Sequence, residues 1–130
     1  MLVFDCCLLI DRISSYYFRP RNILVNSDCT LKLADFGLAR VFQDAKDFTC
    51  TSITDYVTTR WYRAPEILAG WTQYGSAVDM WAVGCIIAEL FRRLPLFPGS
   101  DSTKQLEVIF TALGKPDESF IVKCRRASKR

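Results

Sequence analysis

Histidine is absent from this 130-residue chain, so no Cys/His zinc site can be built from it. Cysteine is present at Cys6, Cys7, Cys29, Cys50, Cys85 and Cys124, without paired C-x-x-C spacing. Adjacent Cys6 and Cys7 can hardly bridge each other, and nothing marks the chain as secreted. A reducing intracellular compartment is expected, the cytoplasm first and the nucleus second. Long apolar runs are also lacking. The apolar start, Met1 to Ile10, is broken by Asp5 and followed by Asp11 and Arg12, too short and too charged to span a membrane. It has neither the basic leading region nor the small-residue cleavage site of a signal peptide. Strong charge of one sign is missing too. The net charge is +3, and every acidic residue lies before Lys123, while Lys123, Arg125, Arg126, Lys129 and Arg130 form a basic tip. A slightly acidic body with such a tip excludes general nucleic-acid binding, and the tip reads as a frayed, solvated terminus.

What remains is globular. Hydrophobic residues are 50% and charged residues 24% of the chain, enough for one modest core and too little for two domains. No internal repeat or low-complexity stretch appears. Ile23-Leu24-Val25 and Leu31-Lys32-Leu33 predict two short strands around the polar Asn26-Ser27-Asp28. From Gln43 to Thr59, a run rich in Thr, Asp and Ser predicts a long exposed loop. Pro65 suits the first turn of a short helix through Ala69, stopped by Gly70. From Val78 to Leu94 the residues are apolar nearly all round, with Asp79 and Glu89 as the acids, which predicts a buried, core-organising helix ended by Pro95 and Pro98. Ser102 to Leu113, with Leu106, Ile109, Phe110 and Leu113 at amphipathic spacing, predicts another helix, stopped by Gly114. The fold class is α+β, mainly helical with a small β-hairpin.

The chemistry sits in an ordered set of motifs. Asp35-Phe36-Gly37 follows a strand and opens a loop; Asn22 stands upstream in Arg19-Pro20-Arg21-Asn22. Downstream come Ala64-Pro65-Glu66 and then Asp79-Met80-Trp81-Ala82-Val83-Gly84. Taken alone, a D-F-G triplet reads as a turn aspartate at a strand end. Four such signatures in this order remove that reading. From Phe18 to Pro116 the chain resembles the large, C-terminal lobe of a eukaryotic protein kinase, in the group that holds MAP kinases and cyclin-dependent kinases.

The resemblance implies ATP and magnesium as cofactors, with Asp35 the principal magnesium ligand and Asn22 the second. Magnesium takes hard oxygen donors and keeps several waters. Thr54-Asp55-Tyr56 matches the dual-phosphorylation switch of MAP kinases, although related germ-cell-associated and intestinal-cell kinases share T-D-Y. Each phosphate adds roughly −1.5 to −2 charges, and Arg40, Arg60 and Arg63 are candidate partners. Thr59 matches the threonine associated with serine/threonine acceptors, and Arg63 lies in the segment that favours proline after the modified residue. Cys29, in the strand before the magnesium loop, and Leu96-Phe97-Pro98-Gly99 with Gln105-Leu106 are MAP-kinase-like. Glu66 and Asp79 match structural positions. Implied partners are an upstream dual-specificity MAP kinase kinase, phosphatases and protein substrates, with no nucleic acid and no membrane.

The chain also departs from the pattern. The catalytic loop H-R-D-L-K-P-x-N is here Ser15-Tyr16-Tyr17-Phe18-Arg19-Pro20-Arg21-Asn22. Tyr17 therefore occupies the catalytic aspartate position, and a neutral phenol cannot take the substrate proton as a carboxylate does. Arg19 replaces the phosphate-contacting lysine with a planar group, and Ser15 replaces a histidine. No glycine-rich phosphate loop, strand lysine or paired helix glutamate precedes it. A non-family leader is expected at 1–17, a partial kinase domain at 18–122 and a basic tail at 123–130. Beyond that, the lobe's last helices, the partner arginine for Glu66 and the acidic docking patch are expected to be missing. The expectation is a fragment of a serine/threonine kinase acting at proline-directed sites, inactive alone. The alternatives are a catalytically dead decoy for upstream kinases or phosphatases, or a truncated product without a role. Arg125-Arg126-Ala127-Ser128 has the arginine spacing that basic-directed kinases prefer, and would also pass for a nuclear-import signal.

Overall fold

Alternating polar turns and short apolar runs give five small strands in the computed structural model, which describes residues 4–5, 13–14, 18–35, 40–41, 60–71 and 75–127. They are β1 (Phe4–Asp5), β2 (Ile13–Ser14), β3 (Ile23–Val25), β4 (Leu31–Leu33) and β5 (Arg40–Val41). The expected hairpin is β3–β4, with Ile23 opposite Leu33 and Val25 opposite Leu31. Its turn is closed by the Asn26 N–H on the Thr30 carbonyl at 3.0 Å and the Thr30 N–H on the Asp28 carboxylate at 2.9 Å. That backbone donor holds the exposed Asp28 carboxyl below its usual range. Cys29, expected in a strand, instead occupies this turn at φ 65° and is exposed. The turn needs a left-handed residue, which breaks the extended run there.

Two pairings were not anticipated. β1 adds to β4 antiparallel, giving the strand order β1-β4-β3, and β2 pairs antiparallel with β5. Residues 4–5 and 13–14 are thus tied to β4 and β5 by backbone hydrogen bonds.

Four helices follow: α1 (Pro65–Leu68), α2 (Ala77–Arg92), α3 (Ser102–Leu113) and α4 (Glu118–Ala127). α1 starts on Pro65 and gives way at Gly70, whose φ of 76° only glycine adopts easily. α2 stops before Pro95 is reached, because Arg93 turns left-handed at φ 61° and donates its N–H to the Glu89 carbonyl at 2.7 Å. α3 begins on Asp101, whose carboxylate accepts the Lys104 N–H at 2.8 Å, and ends at Gly114. α4 extends where a frayed tail was expected. Asp117 accepts the Phe120 N–H at 2.8 Å, and Phe120 packs on Trp71 and Phe110 at centroid distances of 5.1 and 6.0 Å. Capping and aromatic burial together explain why the helix continues to Ala127.

The core gathers Tyr62, Ala82, Cys85, Ile86, Phe97 and Ile109, so it lies between α2, α3, the Arg60–Tyr62 turn and the Leu94–Gly99 strap. Trp81 stacks on Phe97 at 5.8 Å. α2 buries one face only. Val78, Asp79, Ala82, Cys85 and Ile86 point inward, whereas Met80, Ile87, Leu90 and Phe91 are exposed, Phe91 to 85%. Burial on most sides is expected of such a helix, whereas here an apolar stripe faces outward among the described residues.

Contiguous apolar surface of this kind promotes association. The purified chain should sediment as a heterogeneous, poorly soluble species, and Leu90→Lys with Phe91→Lys should raise the monomeric fraction without lowering helical circular dichroism. A sharp, cooperative melt of soluble, unsubstituted monomer would contradict this.

Candidate functional site

Asn22 and Asp35 belong to successive motifs that flank the β3–β4 hairpin, one at each end. Pro20–Asn22 forms a single helical turn, closed by the Asn22 N–H on the Arg19 carbonyl at 2.9 Å. The Asn22 carbonyl then accepts the Ala34 N–H at 2.8 Å, extending the β3–β4 ladder by one step. Asp35 is therefore next to the residue bonded to Asn22. Asn22 is buried, and Asp35 is exposed in the left-handed region at φ 65°. A non-glycine residue held there is uncommon, and such backbone clusters at functional sites. Arg19 is buried immediately before this turn.

A second constellation surrounds Arg60–Tyr62 and Arg63. The turn is closed by the Arg63 N–H on the Arg60 carbonyl at 3.0 Å and leads through buried Ala64 into α1. Two anchors hold it from beneath. The Tyr62 hydroxyl donates to the Glu89 carboxylate of α2 at 2.7 Å. Burial, then that carboxylate, pushes the Tyr62 phenol well above its ordinary range. The Trp61 indole N–H donates to the Gly99 carbonyl at 3.0 Å. Gly99 in turn gives its N–H to the Gln105 side-chain oxygen at 2.8 Å, and the Gln105 amide reaches back to the Trp61 carbonyl at 3.4 Å. Gln105 has no exposed surface at all. A Cβ on Gly99 would meet the Gln105 backbone nitrogen at 2.5 Å, which only a glycine avoids.

The other predicted positions fall as follows. Glu66 is half-buried in the first turn of α1, with its carbonyl accepting the Trp71 N–H at 3.0 Å. Asp79 is buried in the first turn of α2, where the helix dipole favours a carboxylate. Arg40 pairs with Ser14 through the backbone of β5. Tyr17, Thr54, Tyr56 and Thr59 lie outside the described residues.

Residues 18–126 match the protein kinase domain family. The chain belongs to that family. It is 52% identical over 101 residues to the mitogen-activated protein kinase homolog NTF6 of Nicotiana tabacum, an overlap of 78% of this chain and 26% of that protein. It is similarly 54% identical over 103 residues to the mitogen-activated protein kinase MKC1 of Candida albicans, covering 79% and 21%. A third relative, the mitogen-activated protein kinase pmk-1 of Caenorhabditis elegans, is 52% identical over 105 residues, covering 81% and 26%. The chain thus spans about a quarter of the length of the curated relatives it matches, and its kinase segment is MAP-kinase-like. Protein kinases of this family use ATP and magnesium, and MAP kinases work with activating kinases, phosphatases and protein substrates. No helix among the described residues is long and apolar enough to cross a membrane.

Sequence reasoning missed Glu89 and Gln105 as anchors of this kinase segment. Gln105 carried a signal, a polar side chain one turn before Ile109 on the apolar face of α3. Glu89 carried one too, as an acid late in an otherwise apolar helix.

Cys85 lies in the core of α2, and burial, then Glu89, pushes its thiol up to about 11. A folded value raised above the unfolded one of 9.0 gives stability that is whole below pH 9 and lost as pH rises towards about 11. Thermal melts should therefore be flat from pH 7 to 9 and fall above it, with Tyr62 extending the fall. Cys85→Ala should remove the fall that begins at pH 9 and leave the Tyr62 part, which begins near pH 10. An unchanged slope in this variant would refute the assignment.

Proposed function

We propose that this chain is a segment of a MAP-kinase-like serine/threonine kinase that serves as a phosphoacceptor and does not itself transfer phosphate. The family reaction moves the ATP γ-phosphoryl group to a hydroxyl, here one followed by proline. The observation that supports the nucleotide side is the backbone hydrogen bond between the Ala34 N–H and the Asn22 carbonyl, which ties the two ends of the hairpin that carry Asn22 and Asp35, the proposed hard oxygen donors. No group of three Asp, Glu, Cys or His residues fit for a metal occurs among the described residues. Such a donor pair fits magnesium that arrives with nucleotide phosphates completing its shell. It does not make a free-standing metal site.

The proposed loss of activity rests on Tyr17. Phosphoryl transfer in kinases is mostly positioning and electrostatics, and the aspartate at this place accepts the substrate proton. A phenol neutral at pH 7 offers neither the charge nor the acceptor. Arg19 retains a cation without the compact ammonium geometry. The activation segment is proposed to keep its acceptors, Thr54 and Tyr56, for an upstream dual-specificity kinase. Arg60 and Arg63 are the cations proposed to receive the phosphates; Arg60 has a buried Nε without a hydrogen-bond partner among the described residues. Thr59 and Arg63 are proposed to line the substrate segment, and Glu66 and Asp79 to support it. A boundary near residue 18 and a basic tail from residue 123 complete the reading, with the cytoplasm as the main compartment and the nucleus as another.

One observation favours a second role. An unaltered T-D-Y segment beside a substituted base suits a decoy that occupies activating kinases or phosphatases without signalling onward.

Incubation of the purified chain with an activating dual-specificity MAP kinase kinase and MgATP should add phosphate at Thr54 and Tyr56, seen by mass spectrometry. A Ser/Thr-Pro peptide in the same chain's presence, without the activating kinase's own background, should remain unmodified. Unmodified Thr54 and Tyr56 would defeat both the acceptor and decoy readings and leave a product without this role. Magnesium-dependent phosphorylation of the peptide would defeat the inactive reading.

A further inference from the structure

Resting on the reading of Arg60–Arg63 as the substrate segment, we infer that Gln105 of α3 is a positioning residue for selectivity at the substrate position after the acceptor. The side chain joins three separate stretches of backbone. Its oxygen accepts the Gly99 N–H at 2.8 Å, its amide donates to the Trp61 carbonyl at 3.4 Å, and the Gly99 carbonyl accepts the Trp61 indole N–H at 3.0 Å. These bonds close a ring through the strap, the turn and α3. The Trp61 carbonyl belongs to the peptide plane that leads into Tyr62, and Tyr62 is pinned by Glu89 at 2.7 Å. With these groups held, the path of the backbone into Arg63 is set by the fully buried Gln105 together with Tyr62 and the half-buried Trp61 and Glu89.

The chemistry requires a carboxamide. One end must accept from an amide while the other donates to a carbonyl, and a carboxamide offers both on adjacent atoms without charge. A glutamate would accept from Gly99 but has no donor for Trp61, and would bury a charge. A methionine would fill the space and leave the Gly99 N–H and Trp61 carbonyl without partners. Gly99 completes the design, because its missing Cβ lets the Gln105 backbone approach. The consequence is that α3, remote from the nucleotide residues in sequence, controls the shape of the segment that meets the substrate.

A purely structural glutamine would affect stability alone, so the decisive readout is a ratio of affinities. Fluorescence polarisation on the full chain compares two labelled peptides that differ only in Ser-Pro against Ser-Ala. The unsubstituted chain should prefer the proline peptide, and Gln105→Met should lower that preference by about three- to tenfold, the weight of one positioned hydrogen bond. Affinity for the Ser-Ala peptide should stay within about twofold, with helical circular dichroism unchanged. Retention of the full preference by folded Gln105→Met would overturn the inference while leaving the substrate-segment reading intact. Should Gln105→Met fail to fold, Trp61→Phe carries the test. It removes the indole donor to Gly99 at a half-buried site, and it too should erode the preference; an unchanged ratio overturns the inference. Equal binding of both peptides, or none, by the unsubstituted chain would sink the substrate-segment reading and this inference with it.

Discussion

The carboxamide of Gln105 is the contact on which the described helical part depends. It is the most deeply buried polar group there, and it ties α3 to the strap at Gly99 and to the turn at Trp61. Around it the apolar residues have little choice. Phe97 is carried by the strap onto Trp81, Tyr62 is carried by the turn onto α2, and Ile109 closes the space between them. Hydrophobic burial supplies most of the driving force in such a core, but it is non-directional. The hydrogen-bonded ring supplies direction, because an unmatched buried amide or carbonyl is costly and wrong arrangements leave one.

This arrangement separates two kinds of site. The Asn22–Asp35 pair rests on a hairpin whose strands are three residues long. The Arg60–Arg63 segment rests instead on two long helices and a filled core. The second is therefore better supported mechanically than the first. Beneath the Arg60–Arg63 segment, Tyr62, Glu89, Gln105 and Gly99 are joined by hydrogen bonds.

Much of this architecture was legible in the sequence. Both strands of the hairpin and the full span of α3 follow from apolar spacing and the Gly114 stop, and α1 follows from Pro65 and Gly70. The motif set was legible because its residues are chemically constrained at fixed spacing, and membership of the protein kinase domain family follows the same residues. The end of α2 was less so: prolines marked it at Pro95, but a left-handed Arg93 stops it earlier through a backbone bond that no side chain signals. α4 was missed because its apolar residues are interleaved with Lys123, Arg125 and Arg126, and its anchor, Phe120, finds Trp71 and Phe110 only across the fold. The strands at residues 4–5 and 13–14 were missed for a related reason. Two-residue pairings carry no periodicity and exist only when a partner edge is at hand.

By itself the sequence determined which residues are able to carry chemistry, since a carboxylate, a hydroxyl or a phenol acts through its own composition. Asp35, Thr54, Tyr56 and the intrusive Tyr17 are properties of that kind. Tertiary structure alone decided which groups meet: Asn22 with Ala34, Tyr62 with Glu89, and Gln105 with both Gly99 and Trp61. Hydrogen bonds are satisfied by geometry and not by order along the chain. A glutamine on an apolar helix face acquires its meaning only when two other segments bring it an amide and a carbonyl.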